Sequence, residues 1–493
     1  MISTHSFRSL AAVATLTLLA TTATAQTLPP EVDAALQRAK VPREAVTMLV
    51  ADVQGKAPAR LSHRANVPVN PASVMKLVTT YAALDLLGPA FSWSTPVYVE
   101  GAVRDGTLFG NLYIKGQGDP KLVSERLWLL LRRVQGLGVK TIAGDIVLDR
   151  SAFENVEVDP ASFDGEPLRP YNAAPDALLL NFKSVVMTFV PDRTANTAQV
   201  QYEPPLAGVQ MQANVPLSGG DCNDYRGALK ADFSDAVQIR FNGSYPASCG
   251  EKVWAVAYAD AKGYAARAVE GMWREMGGKL AGTVRDGRVP SPQGVALKPA
   301  FEVTSPPLPE VIRDINKYSN NVMAQQLFLT LSLQAKVAAS SAASNATGSI
   351  PSNTATLAAS REVVQRWWRN TISASADDLP TIDNGSGLSR TDRITAQALA
   401  RLLQSAYASP YMPELMSSLP ITGVDGTLRR SRTAARGSAH LKSGTLRDVV
   451  GVAGYVLAAS GKRYVVVMVF NHSNATAARP AIDALVDWTL KDN

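Results

Sequence analysis

Cysteine is nearly absent from this chain of 493 residues: there are two, Cys222 and Cys249. Neither has a His or a second Cys at metal-ligand spacing, which argues against a zinc site. Histidine is almost as scarce. Beyond His5 near the start there are only His63, His440 and His472, and no G-x-S-x-G elbow accompanies them, so a Ser-His-Asp hydrolase has no footing. His440 stands two residues before Lys442 on a strand-like run and on the same face, where a packed strand histidine is the simpler account. Nothing calls for a metal or an organic cofactor. A basic stripe interleaved with aromatics is also missing. The net charge of +7 is modest and its densest run, Arg429-Arg430-Ser431-Arg432, reads as a solvated face. Nucleic acid is therefore not an expected partner; anionic cell-wall polymers or peripheral membrane contact suit the charge better.

Long apolar runs are missing as well. The stretch Ala11 to Ala20 is about half of the ~20 residues needed to span hydrocarbon, and no later stretch is long and apolar enough to cross a bilayer. With Arg8 before it and the small residues Ala23 and Ala25 after it, it reads as a secretory signal with cleavage after Ala25. The expected location is the periplasm, with no transmembrane span in the mature chain. In that oxidising setting Cys222 and Cys249 are expected to form one disulfide in a small β-rich module, the alternative being two buried thiols.

What the chain does have is three short motifs in order: Ser73-Val74-Met75-Lys76 (S-x-x-K), Ser319-Asn320-Asn321 (S-x-N) and Lys442-Ser443-Gly444 (K-S-G). One S-x-x-K means little, since chance supplies on the order of one in a chain this long. Singly, a helix cap, a solvated lysine and a polar helix face are better explanations. In order, the three outline an acyl-serine site. A serine hydroxyl is a weak nucleophile without a base beside it. Ser73 is the candidate nucleophile. Lys76, one helical turn on and facing the same way, is the candidate base, provided burial and the charge of Lys442 lower its pKa. Ser319 would relay a proton to the leaving amine, and Asn321 would bond the substrate amide and Lys76. Lys442 would hold a terminal carboxylate or favour proton transfer. Backbone N–H groups of Ser73 and Thr445 are the candidate oxyanion hole, and Ser443, Gly444 and Thr445 the candidate substrate-binding strand, with Gly444 leaving room for substrate.

Ser319 lies twice as far from Ser73 as from Lys442, so something of domain size interrupts the site-bearing domain. Val46 to Asp52 reads as a strand, and the residues after Ser73 as a helix stopped by Gly88-Pro89. From about Trp93 the texture becomes short strands around a helix patterned on Leu122, Leu127, Leu130, Leu131 and Val134. Alternating runs holding both cysteines follow. Leu308 to Leu333 reads as one helix, Ala338 to Ser360 as a flexible surface loop, and the C-terminus as an antiparallel sheet with a helix against it. The expected fold is α/β (α+β). Residues 1–25 form the signal, 26–93 and 300–493 the site-bearing domain, 94–190 and 262–299 an α/β insert, and 191–261 a nested β-rich insert.

The three motifs, together with Gly116-Gln117-Gly118-Asp119-Pro120, Pro175-Asp176-Ala177-Leu178, Asp383 to Ser389 and Gly423 to Leu428, resemble those of D-alanyl-D-alanine carboxypeptidases/endopeptidases of the penicillin-binding protein 4 type. The resemblance runs over essentially the whole mature chain. It implies a β-lactamase/transpeptidase-like serine acyl-enzyme domain split by nested inserts, action on peptidoglycan stem peptides and cross-bridges, and acylation by β-lactam antibiotics. Two departures stand out. Ser443 occupies a position where the family commonly has Thr, which keeps the hydroxyl. Asn181 falls near a position where some relatives carry an acid facing the substrate's free amine. Two rivals remain: a serine β-lactamase, since Tyr318-Ser319-Asn320 also reads as Y-x-N, and a catalytically idle cell-wall-binding scaffold.

Overall fold

The computed structural model describes residues 27–154, 158–291, 297–347 and 354–492. The expected signal and its cleavage point lie outside the described residues.

Five antiparallel strands form the sheet that carries the K-S-G motif, in the spatial order Leu61–His63, Val46–Asp52, Arg463–Asn471, Val449–Leu457, Ala439–Leu446. The two long C-terminal strands are buried almost throughout because both faces are covered. Val450, Val452, Val466 and Met468 face one core, with Val32 and Leu36 of helix Pro30–Ala39 and Leu485 of helix Arg479–Lys491. Ala453, Tyr455, Val467 and Val469 face the other, with the helices that hold the remaining motifs. Alternate residues of each strand thus serve opposite cores, as a pleated strand requires.

Lys76–Leu87 is the central helix of that second core. Its residues from Lys76 to Leu84 are all buried, Lys76, Thr79 and Thr80 included, so it is covered around its circumference rather than amphipathic. It ends at Gly88, as expected. Ser73 precedes it on a short 3-10 turn, Ala72–Met75.

Two expectations fail here. Leu308 to Leu333 is two helices, Leu308–Tyr318 and Asn321–Thr347, broken at Ser319, which adopts the left-handed conformation (φ 58°). Asn320 Oδ1 accepts the Met323 N–H at 3.0 Å and caps the second helix. The expected loop from Ala338 to Ser360 is helical as far as Thr347 and again from Leu357. Lack of an apolar pattern hid the helix propensity of an alanine-rich segment. Beyond it, Ala355 pairs with Phe153, and Leu357 packs on the small core containing Leu329 and Leu333.

Between the central helix and Leu308 the chain builds further sheets. Ser94–Val99, Leu112–Lys115, Ile146–Asp149, Val284–Asp286 and Phe301–Thr304 form one, with helix Ser124–Gly136 following its second strand. Ser184–Asp192, Thr197–Glu203, Asn214–Ser218, Tyr245–Pro246 and Lys252–Ala257 form another. Strand Ser184–Asp192 crosses the expected boundary at 190/191. Strand Phe301–Thr304 pairs with Ser94–Val99, beyond the expected boundary at 299/300. One hydrophobic core joins the two sheets, running from Val97 through Phe189 and Trp273 to Phe301. Cys222 and Cys249 are disulfide-bonded beside the second sheet.

Candidate active site

The three motifs converge where the edge strand Ala439–Leu446 meets the Ser73 turn. Strand alternation sends Lys442 and Gly444 inward, and the approach is as close as backbone allows. A Cβ at position 444 would stand 2.6 Å from Pro71 O and 3.0 Å from the amide nitrogens of Ser73 and Val74. The space expected to admit substrate at Gly444 is therefore taken by the turn that carries Ser73. The glycine brings Ser73 N and the strand backbone at Thr445 to the same spot.

Lys76 is fully buried. Its Nζ lies 2.9 Å from Ser73 Oγ and 2.6 Å from Asn321 Oδ1, and it also contacts the carbonyl oxygen of Ser386. Two of these neighbours, the Asn321 and Ser386 oxygens, can only accept. A neutral amine has two hydrogens for them and one lone pair left, which faces the Ser73 hydroxyl. Desolvation holds the Lys76 pKa well below its usual range, and the charge of Lys442 lowers it further. Lys442, also fully buried, has its pKa lowered to about 7 by desolvation. Its Nζ donates to Ser319 Oγ at 3.0 Å and to Ser443 O at 2.6 Å.

The helix break explains how Ser319 and Asn321 reach both lysines. On one continuous helix, residues two apart point to different sides; the left-handed Ser319 redirects the chain. Lys317, buried just before the break, is tied to Asp425 at 2.6 Å. The Y-x-N pattern finds no counterpart: Tyr318 is 67 % exposed and Asn320 is spent on the cap, while Asn321 meets Lys76.

Sequence reasoning missed several contributors. Gly387 (φ 76°) lets its loop come against Ala72, where a Cβ would meet Ala72 O at 2.1 Å. That approach delivers the Ser386 carbonyl to Lys76. Asp392 is buried nearby, with its pKa raised to about 7, chiefly by desolvation; its charge raises the Lys76 pKa, a smaller effect than the burial and the Lys442 charge that lower it. The stretch Asp383 to Ser389 stood out as a motif, but its service, a backbone carbonyl, leaves no side-chain trace. Tyr171, from the strap between the strands near Asp149 and Ser184, accepts the Asn321 Nδ2–H at 3.3 Å through its carbonyl. Ser443 Oγ lies 2.6 Å from Thr427 Oγ1. His440 is packed, with Nδ1 3.3 Å from Met416 O.

A cavity of about 1030 Å³ opens over this centre, lined by Ser73, Ser319, Asn321, Thr445, Tyr171 and Asn181 among others. Asn181 is thus on its wall, with Nδ2 donating to Ser184 O at 3.1 Å.

A serine beside a dry lysine amine, on a sheet edge and under an open cavity, is the arrangement of a serine peptidase, and the chain is a hydrolase of that class. It belongs to the D-Ala-D-Ala carboxypeptidase 3 (S13) family, whose model matches residues 28–492. Similar proteins include a D-alanyl-D-alanine carboxypeptidase of an Actinomadura species, 29 % identical over 80 % of this chain and 71 % of that one. Another is the D-alanyl-D-alanine carboxypeptidase DacB of Haemophilus influenzae, 24 % identical over 81 % of this chain and 80 % of that one. The crystal structure of penicillin binding protein 4 (dacB) from Haemophilus influenzae has the same fold, with TM-score 0.67 and 21 % identity over 92 % of this chain and 99 % of that one. That protein has also been solved with a bound β-lactam. The expected resemblance and mixed α/β fold are those found. Among the described residues no helix is long and apolar enough to cross a membrane.

Proposed function

We propose that the protein removes the terminal D-Ala from peptidoglycan stem peptides and cleaves D,D-cross-bridges, through an ester on Ser73. The observation that carries this is the Lys76 amine, buried, facing Ser73 Oγ at 2.9 Å, with Asn321 and Ser386 oxygens taking its two hydrogens. As Ser73 Oγ attacks the carbonyl carbon, its proton passes to Lys76 Nζ. The oxyanion forms between the amide groups of Ser73 and Thr445. On collapse the leaving amine takes a proton by way of Ser319, which Lys442 holds at 3.0 Å. Water then hydrolyses the ester, restoring Ser73. Lys442 serves proton transfer rather than direct carboxylate binding, because it is fully buried and already donates to Ser319 Oγ and Ser443 O. Ser443 and Thr445 bind the substrate on the strand, and Asn181 borders the stem side chain.

Penicillins would be taken at the same serine. The nested division of the chain, with the site-bearing domain interrupted by the α/β insert and that in turn by the β-rich one, belongs to this reading, as does export to the periplasm with cleavage after Ala25. The sheet order and the disulfide support them.

The test is incubation of the purified protein with muropeptides, following free D-Ala and cross-bridge products, beside mass spectrometry after penicillin exposure. Expected are D-Ala release and one penicilloyl adduct on Ser73. Sustained β-lactam turnover without D-Ala release would point to a β-lactamase instead, and absence of both adduct and product to an idle scaffold.

A further inference from the structure

Three consecutive residues beside the main cavity, Asn181, Phe182 and Lys183, stand in the left-handed region (φ 40°, 57° and 53°). None is a glycine, and each such residue costs free energy that its surroundings must supply. Part of this turn is backed by open space. Asn181 and Phe182 border the cavity over Ser73, whereas Lys183 borders a second cavity, of about 540 Å³, together with Asp176 and Arg150. A strained wall between two cavities needs an anchor.

Asp176 supplies it. Its Oδ2 meets Lys183 Nζ at 3.0 Å and Arg150 Nη1 at 2.8 Å, and its Oδ1 accepts the Leu178 N–H at 3.0 Å. The Lys183 and Asp176 side chains are only 11 % and 7 % exposed, so water and salt screen the pair little. The backbone at Asp176 is in turn fixed to the helix that carries Asn321. Gln326 of that helix, fully buried, accepts the Asp176 N–H at 2.9 Å and donates to the Asp176 carbonyl at 2.8 Å. Ala177 O accepts the Gly118 N–H at 2.8 Å, and a Cβ on Gly116 would stand 2.3 Å from the same oxygen. Gly116 to Pro120 and Pro175 to Leu178, two motifs without a part in the acylation chemistry, thus close on each other at this anchor.

We propose that Lys183 is a positioning residue: through Asp176 it holds the left-handed turn Asn181-Phe182 in place as the wall that meets the stem side chain. Lys183 itself faces the second cavity and touches no reacting atom. With the ion pair gone, nothing on that side opposes relaxation of the turn away from its strained conformation, and the wall would yield toward the second cavity. The inference deepens the peptidase reading and rests on it.

The test compares two substrates on each protein: a muropeptide pentapeptide with diaminopimelate as its third residue, and the same peptide with glycine there. The parent is expected to favour the first. Lys183→Met leaves Arg150 on Asp176, so no buried carboxylate is stranded without a partner. In that variant kcat/KM on the diaminopimelate peptide should fall about five- to thirty-fold, mainly through KM, while the glycine peptide and penicillin acylation change less than about three-fold. Lys183→Arg, which keeps a cation on Asp176, should recover part of the preference. Because both peptides meet the same preparation, a loss of folded protein lowers both rates and leaves their ratio intact. A parent that cleaves both peptides equally well, or a Lys183→Met variant with the parent's ratio, overturns the positioning role and leaves the peptidase reading standing. A parent that cleaves neither peptide overturns the peptidase reading, and this inference with it.

Discussion

Replacing Gly444 by alanine adds one methyl group where the Ser73 turn leaves no space for it. The new Cβ would lie 2.6 Å from Pro71 O and 3.0 Å from Ser73 N and Val74 N. All three neighbours are backbone atoms, so none can rotate away as a side-chain tip would. Ordinary carbon–oxygen contact needs several tenths of an ångström more, and the edge strand must slide or tilt away from the Ser73 turn by about that much. Overpacking of this kind costs about 1–3 kcal/mol. The displacement falls on the two amides assigned to the oxyanion, Ser73 and Thr445, and loss of one such donor costs about 10²–10³ in rate. A partial misplacement should therefore slow acylation of Gly444→Ala by about ten- to a hundred-fold.

The assay is the second-order rate of labelled penicillin incorporation, with urea unfolding for stability. Gly136→Ala serves as the control: a Cβ there meets nothing within 4 Å, at the last residue of helix Ser124–Gly136. It should hold or gain up to about 1 kcal/mol through helix propensity and leave acylation alone. If Gly444→Ala keeps both the parent rate and the parent stability, the close approach of strand and turn is not what sets the oxyanion geometry, and the reasoning fails.

The two asparagines after Ser319 should separate cleanly. Asn320→Ala loses a helix cap worth about 1 kcal/mol and keeps acylation within a few-fold, whereas Asn321→Ala should lose at least about a hundred-fold in penicillin incorporation; the reverse ranking would restore the Y-x-N reading. Stability should rise with pH above neutrality. With Lys442 at about 7 in the folded state and near 10.5 when unfolded, the unfolded chain binds more protons across that window. Lys442 alone should raise the unfolding free energy by up to about 1.4 kcal/mol per pH unit between pH 7 and 9.5, and Lys76 adds to it in the same direction. Urea titrations showing a flat or falling profile, or a Lys442→Met variant with an unchanged slope, would contradict this. Reduction of Cys222–Cys249, which closes a separation of 27 residues, should cost about 3–4 kcal/mol by loop closure and spare penicillin acylation. A chain whose melting curve ignores reductant would show that the second sheet needs no staple.

Four of the five strands of the motif-bearing sheet were legible because each is an apolar run: Val46–Asp52 and Val449–Leu457 have the expected bounds, whereas the short edge strand Leu61–His63 was not foreseen. Ser73, Lys76, Ser319, Asn321 and Lys442 were legible through side-chain chemistry at fixed spacing, and the structure brings all five together. What escaped was carried by backbone. The break at Ser319 lies within a run whose apolar pattern continues on both sides, so periodicity joined two helices that a left-handed residue separates. The Ser386 and Tyr171 carbonyls have no residue-type signature. Strand Phe301–Thr304 pairs with Ser94–Val99 across some 200 residues of chain, a register that no window of sequence contains.

The two lysines show why those backbone contributions matter. An amine buried without partners would be driven neutral by desolvation but left with unsatisfied hydrogens. At Lys76 the Asn321 and Ser386 oxygens satisfy them at no gain in charge, so the lone pair is both available and aimed. A carboxylate in either place would hold the ammonium charged and remove the base; the nearest buried acid, Asp392, is itself pushed to about 7 by the same dry surroundings. Lys442 lowers the Lys76 pKa through its own charge, and above pH 7 it loses that charge. The neutral base is then maintained mainly by burial, and Lys442 acts through the Ser319 hydroxyl it holds. Acylation therefore depends on Lys442 most strongly below pH 7, where its charge still presses on Lys76, and the rate deficit of Lys442→Met should narrow as pH rises through that value. A deficit that stays constant from pH 6 to 9 would assign Lys442 to the Ser319 contact alone.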